Sequence, residues 1–389
     1  MDDLRERLHA LPCGRRLLEA AEGSGGVHLV GGAVRDLLLG REPHELDVVV
    51  EGGVEPLARR LGADLDQVVH ARFGTATARS GGCRWDLASA RGERYSRPGA
   101  LPDVFAAGIE QDLERRDVTV NAIALDLATG ALRMVEHALD DLRARRLRVL
   151  HDASFTDDPT RLWRIARYAA RLGFELEERT ERLAAQAVAA GAPATVSGAR
   201  IGNELRLALS ERDPVAALES AVALGLAPWL APDRALTERA LGLLPAGEWR
   251  RDLLVLAASL AAPDDAALDD LGFTAAERAI VRACLRAPAL DDAPRPPSRL
   301  ARTLRGLPVE AVALAGARGG AGPARRWLEE LRHVTLQITG DDLLAAGISE
   351  GPEIGRRLQA VLDLRMDGAV GAGRDAELEA ALRPGAGTS

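Results

Sequence analysis

The hydrophobic period of this chain changes near residue 140, and that change fixes the kind of fold open to it. Before it, short apolar runs are broken by glycine pairs and turns. Val27–Val30 runs into Gly31-Gly32, and residues 33–39 then read as a helix closed by Gly40. Residues 46–50 form a second strand and 54–61 a second helix. Residues 73–79 and 83–90 read as strands joined by Gly81-Gly82, and 118–127 and 131–135 as a further hairpin. Residues 91–110 show no period and contain Pro98, Gly99, Pro102 and Gly108, so a mobile loop is expected. After residue 140 the chain is rich in Ala, Leu and Arg, cut by Gly and Pro breaks, and reads as helix throughout. Thr339 to Leu343 looks like a capped helix start, and a small, polar, disordered tail is expected from Pro384. The pattern predicts an α/β head on a mostly helical body.

With 389 residues and 47% hydrophobic composition, the chain has enough apolar material for two or more cores. No stretch of 18 apolar residues is free of charge, which excludes a transmembrane helix, and residues 1–10 lack the apolar core of a secretory signal. Cys13, Cys83 and Cys284 are distant and odd in number. Neither a disulfide framework nor a zinc knuckle is expected, and a reducing cytoplasm is the default. The net charge of −8 argues against nonspecific coating of nucleic acid. All 50 basic residues are arginine, so every cation is a planar fork suited to phosphates and base edges.

The chemistry concentrates in the head. Gly31-Gly32, between a strand and a helix, lets backbone N–H groups approach a phosphate. Glu45 and Asp47 stand two apart at the start of a strand, so both carboxylates leave the same face while Leu46 enters the core. Carboxylates that close repel unless a cation lies between them. Asp86 sits inside a strand with Trp85 and Leu87 facing the other way. Two carboxylates from one strand and a third from a neighbour are the ingredients of a two-metal site, where ions ~3.5–4 Å apart activate a hydroxyl and stabilise a leaving pyrophosphate. Phosphoryl transfer needs positioning and charge neutralisation, with no nucleophilic side chain.

Four motifs in one order carry a resemblance. They are residues 29–40 followed by Glu45-Leu46-Asp47; Arg72-Phe73-Gly74-Thr75 with Asp86 to Tyr95; Arg115-Arg116-Asp117-Val118-Thr119-Val120-Asn121-Ala122; and Asp157-Asp158-Pro159-Thr160-Arg161-Leu162-Trp163-Arg164. Together they resemble class II tRNA nucleotidyltransferases and the related bacterial poly(A) polymerases, over about residues 27 to 383. Two positions depart from the family pattern: Glu45 stands where Asp is usual, and Asp157 where Glu is usual.

The resemblance implies an α+β protein. A polymerase-β-like nucleotidyltransferase head (1–140) would precede an all-helical neck (141–215), body (216–333) and tail (334–389), the last two binding RNA. It implies Mg²⁺ held by Glu45 and Asp47, with Asp86 completing the catalytic acids. Gly31, Gly32, Arg35, Arg116, Asn121, Asp158, Arg161, Arg164 and Arg167 would bind the nucleotide, with Arg116 on the triphosphate. The expected substrates are CTP, ATP and the 3′ end of tRNA, and the expected products are CCA, CC alone, A alone, or a poly(A) tract.

The fourth motif can also be read from geometry. Asp158-Pro159 opens a helix on which Arg161, Arg164, Arg167 and Arg171 share about a third of the circumference. An acid one turn from Arg161 supplies paired acceptor and donor groups, which suit a base edge. The carboxylate accepts from the exocyclic amine of C or A and faces a carbonyl in G or U. Arg302, Arg305, Arg325 and Arg326 are candidate phosphate contacts in the body. A catalytically silent RNA-binding protein is the competing class. A metal phosphohydrolase is disfavoured, because the seven histidines are scattered and His151-Asp152 lacks partners at ligand spacing.

Overall fold

The computed structural model describes residues 2–62, 69–70, 74–261 and 267–383. Arg72 and Phe73 of the second motif, and the tail from Pro384, lie outside them. The chain forms two compact units, Met1–Pro228 and Trp229–Ser389.

The first unit is built on a sheet. In chain order its strands are β1 (Val27–Val30), β2 (Leu46–Val50), β3 (Val69–His70), β4 (Thr75–Ser80), β5 (Cys83–Ser89), β8 (Ile123–Asp126) and β9 (Leu132–Met134); a separate hairpin is β6 (Arg91–Arg94) with β7 (Asp103–Ala106). The main sheet has the order β3-β4-β5-β2-β1-β8-β9. Every neighbouring pair in it is antiparallel except β2 and β5, which run parallel with Asp47 opposite Asp86. A parallel pair needs a long crossover, and residues 51–82 supply it.

One face packs against α1 (Asp2–Ala10), α2 (Pro12–Ala21), α3 (Gly32–Leu38) and α4 (Glu55–Arg60), around Leu8, Leu17, Leu29, Leu57 and Trp85, all essentially inaccessible. The opposite face carries a smaller cluster with α5 (Ile109–Glu114). Strand alternation accounts for this burial. In β5, Cys83, Trp85 and Leu87 are buried, and the residues between them are more open.

Helices follow: α6 (Ala138–Ala144), α7 (Ser154–Asp157), α8 (Thr160–Leu172), α9 (Glu178–Ala189), α10 (Gly198–Leu209) and α11 (Pro214–Ala223). The core side of α8 is Leu162, Ile165 and Ala166, as its period predicts. The second unit is helical among its described residues. There a Thr339–Asp342 capping box opens the helix Gly340–Ala345, as expected from sequence. No helix among the described residues is long and apolar enough to cross a membrane.

Three expectations are corrected. Residues 91–110 are not a structureless loop: β6 and β7 pair from Arg91↔Ala106 to Arg94↔Asp103. β6, Arg-Gly-Glu-Arg, hides from a hydrophobic-period reading because it is polar, and β7, Asp-Val-Phe-Ala, because four residues are too few to show a period. Asn121 is not on a strand but closes a 3-10 turn, Thr119–Asn121, with Ala122 N donating to Thr119 O at 2.9 Å. Cys13 and Cys83, expected to be free, form a disulfide with Cα atoms 5.4 Å apart. Seventy residues separate them in sequence, and only the packing of α2 on β5 brings them together. Cys284 is free and buried. On α8, Arg161 and Arg167 are only 5% and 7% exposed, whereas Arg171 at its end is exposed.

Candidate active site

Three acids gather where the start of β2 lies beside the middle of β5. Leu46 is buried, which turns Asp47 to the opposite face, and the parallel register sets Asp86 beside it. Glu45 is exposed, one step before the strand. Burial, with Glu45 and then Asp86 as like charges, pushes the Asp47 carboxyl up to about 6, against the opposing pull of Arg116 and Arg84. Asp86 is more fully paired: Thr77 Oγ1 donates to Oδ1 at 2.7 Å and Arg84 Nη2 lies 2.9 Å from Oδ2. Among the described residues no three His, Cys, Asp or Glu side chains already form a metal-holding group. Glu45 and Asp47 are the carboxylates left without a cation of their own, and oxygen donors of this kind suit a hard divalent ion.

Two cavities meet at Asp47. One, of about 420 Å³, is lined by Asp47, Thr75, Thr77, Arg79 and Asp86. The other, of about 330 Å³, is lined by Gly31, Gly32, Arg116, Asn121, Asp158, Arg161 and Arg164. Asp47, Arg115 and Arg116 border both. The second cavity therefore brings together most of the residues expected at the nucleotide. Arg35 and Arg167 line neither cavity. Arg35 is 3% exposed and donates to Asp36 Oδ1 and to Asn121 Oδ1, the latter at 2.7 Å, so its fork is spent on holding the turn. Arg167 lies between Glu204 and Glu211.

Gly31 is irreplaceable on two counts. Its φ is +66°, and a Cβ there would lie 2.8 Å from Arg116 Nη1. Gly31→Ala is expected to cost about 1–3 kcal/mol from backbone strain and to push Arg116 aside. The melting temperature reads the first effect and the KM for nucleotide the second; an unchanged KM would separate Arg116 from the triphosphate. Arg116 is aimed by Asp112, which is fully buried and accepts from Nη2 at 2.9 Å. Burial alone would raise the Asp112 carboxyl, but Arg116 and Arg115 outweigh it and hold it below the usual range.

Beyond the sheet the site is closed by α8. Asp117 Oδ2 accepts from Arg164 Nε and Tyr168 OH, both at 2.9 Å, while Oδ1 accepts from Val118 N at 3.0 Å. Burial opposes the charge, yet Arg164 and Tyr168 keep this carboxyl far below its ordinary range. Arg161 donates from Nη1 to Ser154 Oγ at 2.9 Å and from Nη2 to Arg115 O at 2.8 Å. Its terminal nitrogens thus join the third motif to the fourth.

Arg91, Glu93, Tyr95, Arg115, Asp117 and Tyr168 also line the second cavity; the first five stand in the second and third motifs, but the sequence alone assigns none of the six a role. A signal existed for the first three. They stand two apart along β6 and its end, which places them on one face. Glu93 ties them together, accepting from Tyr95 OH and from Arg115 Nη1, both at 3.0 Å.

Comparisons with known proteins bear on the family of the whole chain. Residues 27–148 match the poly(A) polymerase head domain. The chain is 38% identical to the CC-adding tRNA nucleotidyltransferase of Deinococcus radiodurans, covering 88% of this chain and 85% of that one. It is 36% identical to the A-adding tRNA nucleotidyltransferase of Geobacter sulfurreducens, covering 92% of this chain but 45% of that one. It spans less than half the length of the A-adding relatives it matches, including those of Aquifex aeolicus (23%) and Halalkalibacterium halodurans (46%). Among solved structures, the apo form II of a CCA-adding enzyme superposes with a TM-score of 0.81 at 29% identity, covering 97% of this chain and 98% of that one. The Thermotoga maritima CCA-adding enzyme complexed with tRNA gives 0.71 at 28% identity, covering 94% and 93%. Motif order, acid register and a relative matched over most of both lengths lead to one conclusion: the chain belongs to the tRNA nucleotidyltransferase family.

Proposed function

We propose that this protein adds C and A, from CTP and ATP, to the 3′ end of tRNA without a nucleic-acid template. The observation that carries the reading is the Asp47–Asp86 pair standing where two cavities meet. A transferase must present donor and acceptor on either side of its charge-neutralising centre. Glu45 and Asp47 would hold Mg²⁺, and the raised Asp47 carboxyl supports the fit because a cation relieves that repulsion. When bound, the metal neutralises charge developing on the phosphates and favours ionisation of the attacking hydroxyl.

The chain's own groups do the rest. Gly31 and Gly32 let backbone approach the triphosphate, and Arg116, aimed by Asp112, meets its charge. Asn121 is fixed by Arg35. Asp158 faces the base, accepting from the exocyclic amine of C or A. Arg161 keeps the reading helix against the third motif, and the Arg164–Asp117–Tyr168 cluster fixes the cavity wall. The helical residues from about 216 onward would carry the RNA. Arg302 and Arg305 are paired with Asp363 and Gln359, and Arg325 and Arg326 with Glu329 and Glu330. Each pair would open to admit a phosphate. tRNA as substrate places the protein in the cytoplasm.

A second reading has specific support: the Deinococcus and Geobacter relatives are CC-adding and A-adding. One assay separates the outcomes. Purified protein with Mg²⁺ is offered tRNA transcripts ending at the discriminator base, at C and at CC, with CTP, ATP or both. CCA on the shortest transcript supports the full activity; CC alone or A alone names the narrower one. Bound RNA with no incorporation would leave only a binding protein.

The raised Asp47 carboxyl adds a metal prediction. Below pH 6 a proton competes with the ion, so Mg²⁺ affinity is expected to fall about tenfold per pH unit. Titration calorimetry showing constant affinity between pH 5 and 7 would remove Asp47 from the ligand set.

A further inference from the structure

Asp158 is held by one of its two oxygens. Oδ1 accepts from Thr160 N at 3.1 Å, Thr160 Oγ1 at 2.7 Å and Arg200 Nη2 at 2.8 Å. Among the described residues no donor is placed on Oδ2. A carboxylate anchored through a single oxygen keeps its plane and leaves the other oxygen for a ligand in the cavity it borders.

The two anchors differ in kind. Thr160 is two residues away and belongs to the helix opening. Arg200 arrives from α10, 42 residues on, and is itself fixed: its Nη1 donates to Gly99 O at 2.9 Å. Gly99 lies in the connection between β6 and β7, and its N–H reaches Thr156 O and Asp157 O at 3.2 Å. Its φ is +69°, and a Cβ there would fall 2.3 Å from Thr195 Oγ1 and 2.7 Å from Thr195 O, so only glycine fits. One guanidinium thus joins α10, the hairpin connection and Asp158, using the fork that makes arginine differ from lysine. Arg200 lines neither cavity.

We propose that Arg200 is a positioning residue for base choice, orienting Asp158 so that only Oδ2 faces the incoming base. The proposal rests on the reading of Asp158 as base reader. Without Arg200 only Thr160 holds Oδ1, from the helix side, so the carboxylate plane is less fixed and an amine and a carbonyl are less sharply told apart. The hairpin connection matters because it fixes Arg200.

The test compares wild type with Arg200→Ala, Arg200→Lys and Gly99→Ala, all checked for folding by circular dichroism. Steady-state kinetics give kcat/KM for CTP against UTP and ATP against GTP. Equilibrium binding of CTP and UTP gives the same ratio without needing transfer. Arg200→Ala is expected to narrow CTP/UTP discrimination by tenfold or more while the KM for CTP moves by less than about threefold. Arg200→Lys should recover part of the loss, and Gly99→Ala should reproduce it with Arg200 intact. Unchanged ratios, or equal losses for right and wrong nucleotides, would overturn the proposal and make Arg200 merely structural. Wild type that binds CTP over UTP but transfers neither would sink the enzymatic reading, while the binding ratios of the variants would still decide Arg200's part.

Discussion

Asp47→Asn is expected to abolish nucleotide transfer while leaving the protein at least as stable as wild type at pH 7.5. The two halves of that result come from one fact. The folded protein raises the Asp47 carboxyl from 3.8 to about 6, chiefly by burial and by Glu45. Such a group contributes stability below its ordinary pKa and loses it as pH rises through the folded value. At pH 7.5 the charged form is a liability that asparagine removes. The same charge is what a metal needs, so its loss should lower the single-turnover rate by three orders of magnitude or more, corresponding to about 4 kcal/mol of transition-state stabilisation. A transfer rate within tenfold of wild type would disprove the metal assignment. A sharp fall in melting temperature would instead mean that Asp47 holds the fold together.

Asp117→Ala is expected to do the reverse, damaging stability first. The carboxylate is buried, accepts from Arg164, Tyr168 and Val118 N, and sits far below its ordinary pKa. Its stability contribution is present above the ordinary carboxylate range and is lost only in strong acid. Removing it strands the Tyr168 hydroxyl and the inner side of Arg164. Breaking a buried pair from one end costs about 3–5 kcal/mol, so thermal unfolding should begin many degrees earlier at pH 7. Arg164 is part-exposed to the cavity, and some of the strain will be relieved by its moving outward. Tyr168→Phe, which removes a single donor, should cost far less. Equal losses in the two variants would show that Tyr168, not the charge pair, organises this wall.

The acids and glycines of the site were legible because strand alternation and turn chemistry act locally. Leu46 facing the core dictates where Asp47 points, and Trp85 and Leu87 dictate Asp86. What escaped was set by partners far along the chain. Arg35 looks like a nucleotide ligand until Asn121, 86 residues later, claims its fork. Arg167 looks like part of a binding stripe until Glu204 and Glu211 enclose it. Asp117 owes its burial to α8, and the Cys13–Cys83 bond to a helix-on-strand contact that no spacing rule announces. The hairpin of residues 91–106 was hidden differently. Its strands are satisfied by each other, and Arg91, Glu93 and Tyr95 alternate toward a cavity instead of a core.

The parallel pairing of β2 and β5 makes the spacing of the two acids a property of the backbone. Neighbouring strands lie about 4.8 Å apart whatever side chains they carry, and the register Asp47↔Asp86 is shared by five consecutive residue pairs. Residues 51–82 return the chain to the right end of the sheet, and within them β4 also brings Thr77 to Asp86. The part of that detour before β4 can therefore lengthen, shorten or drift in sequence across descendants without moving one acid relative to the other. It can also host an inserted module, provided the turn at Gly81-Gly82 still delivers Cys83 to the edge of β2. Evolution is left with a spacing between two acids that it does not have to maintain by selection on the sequence between β2 and β4.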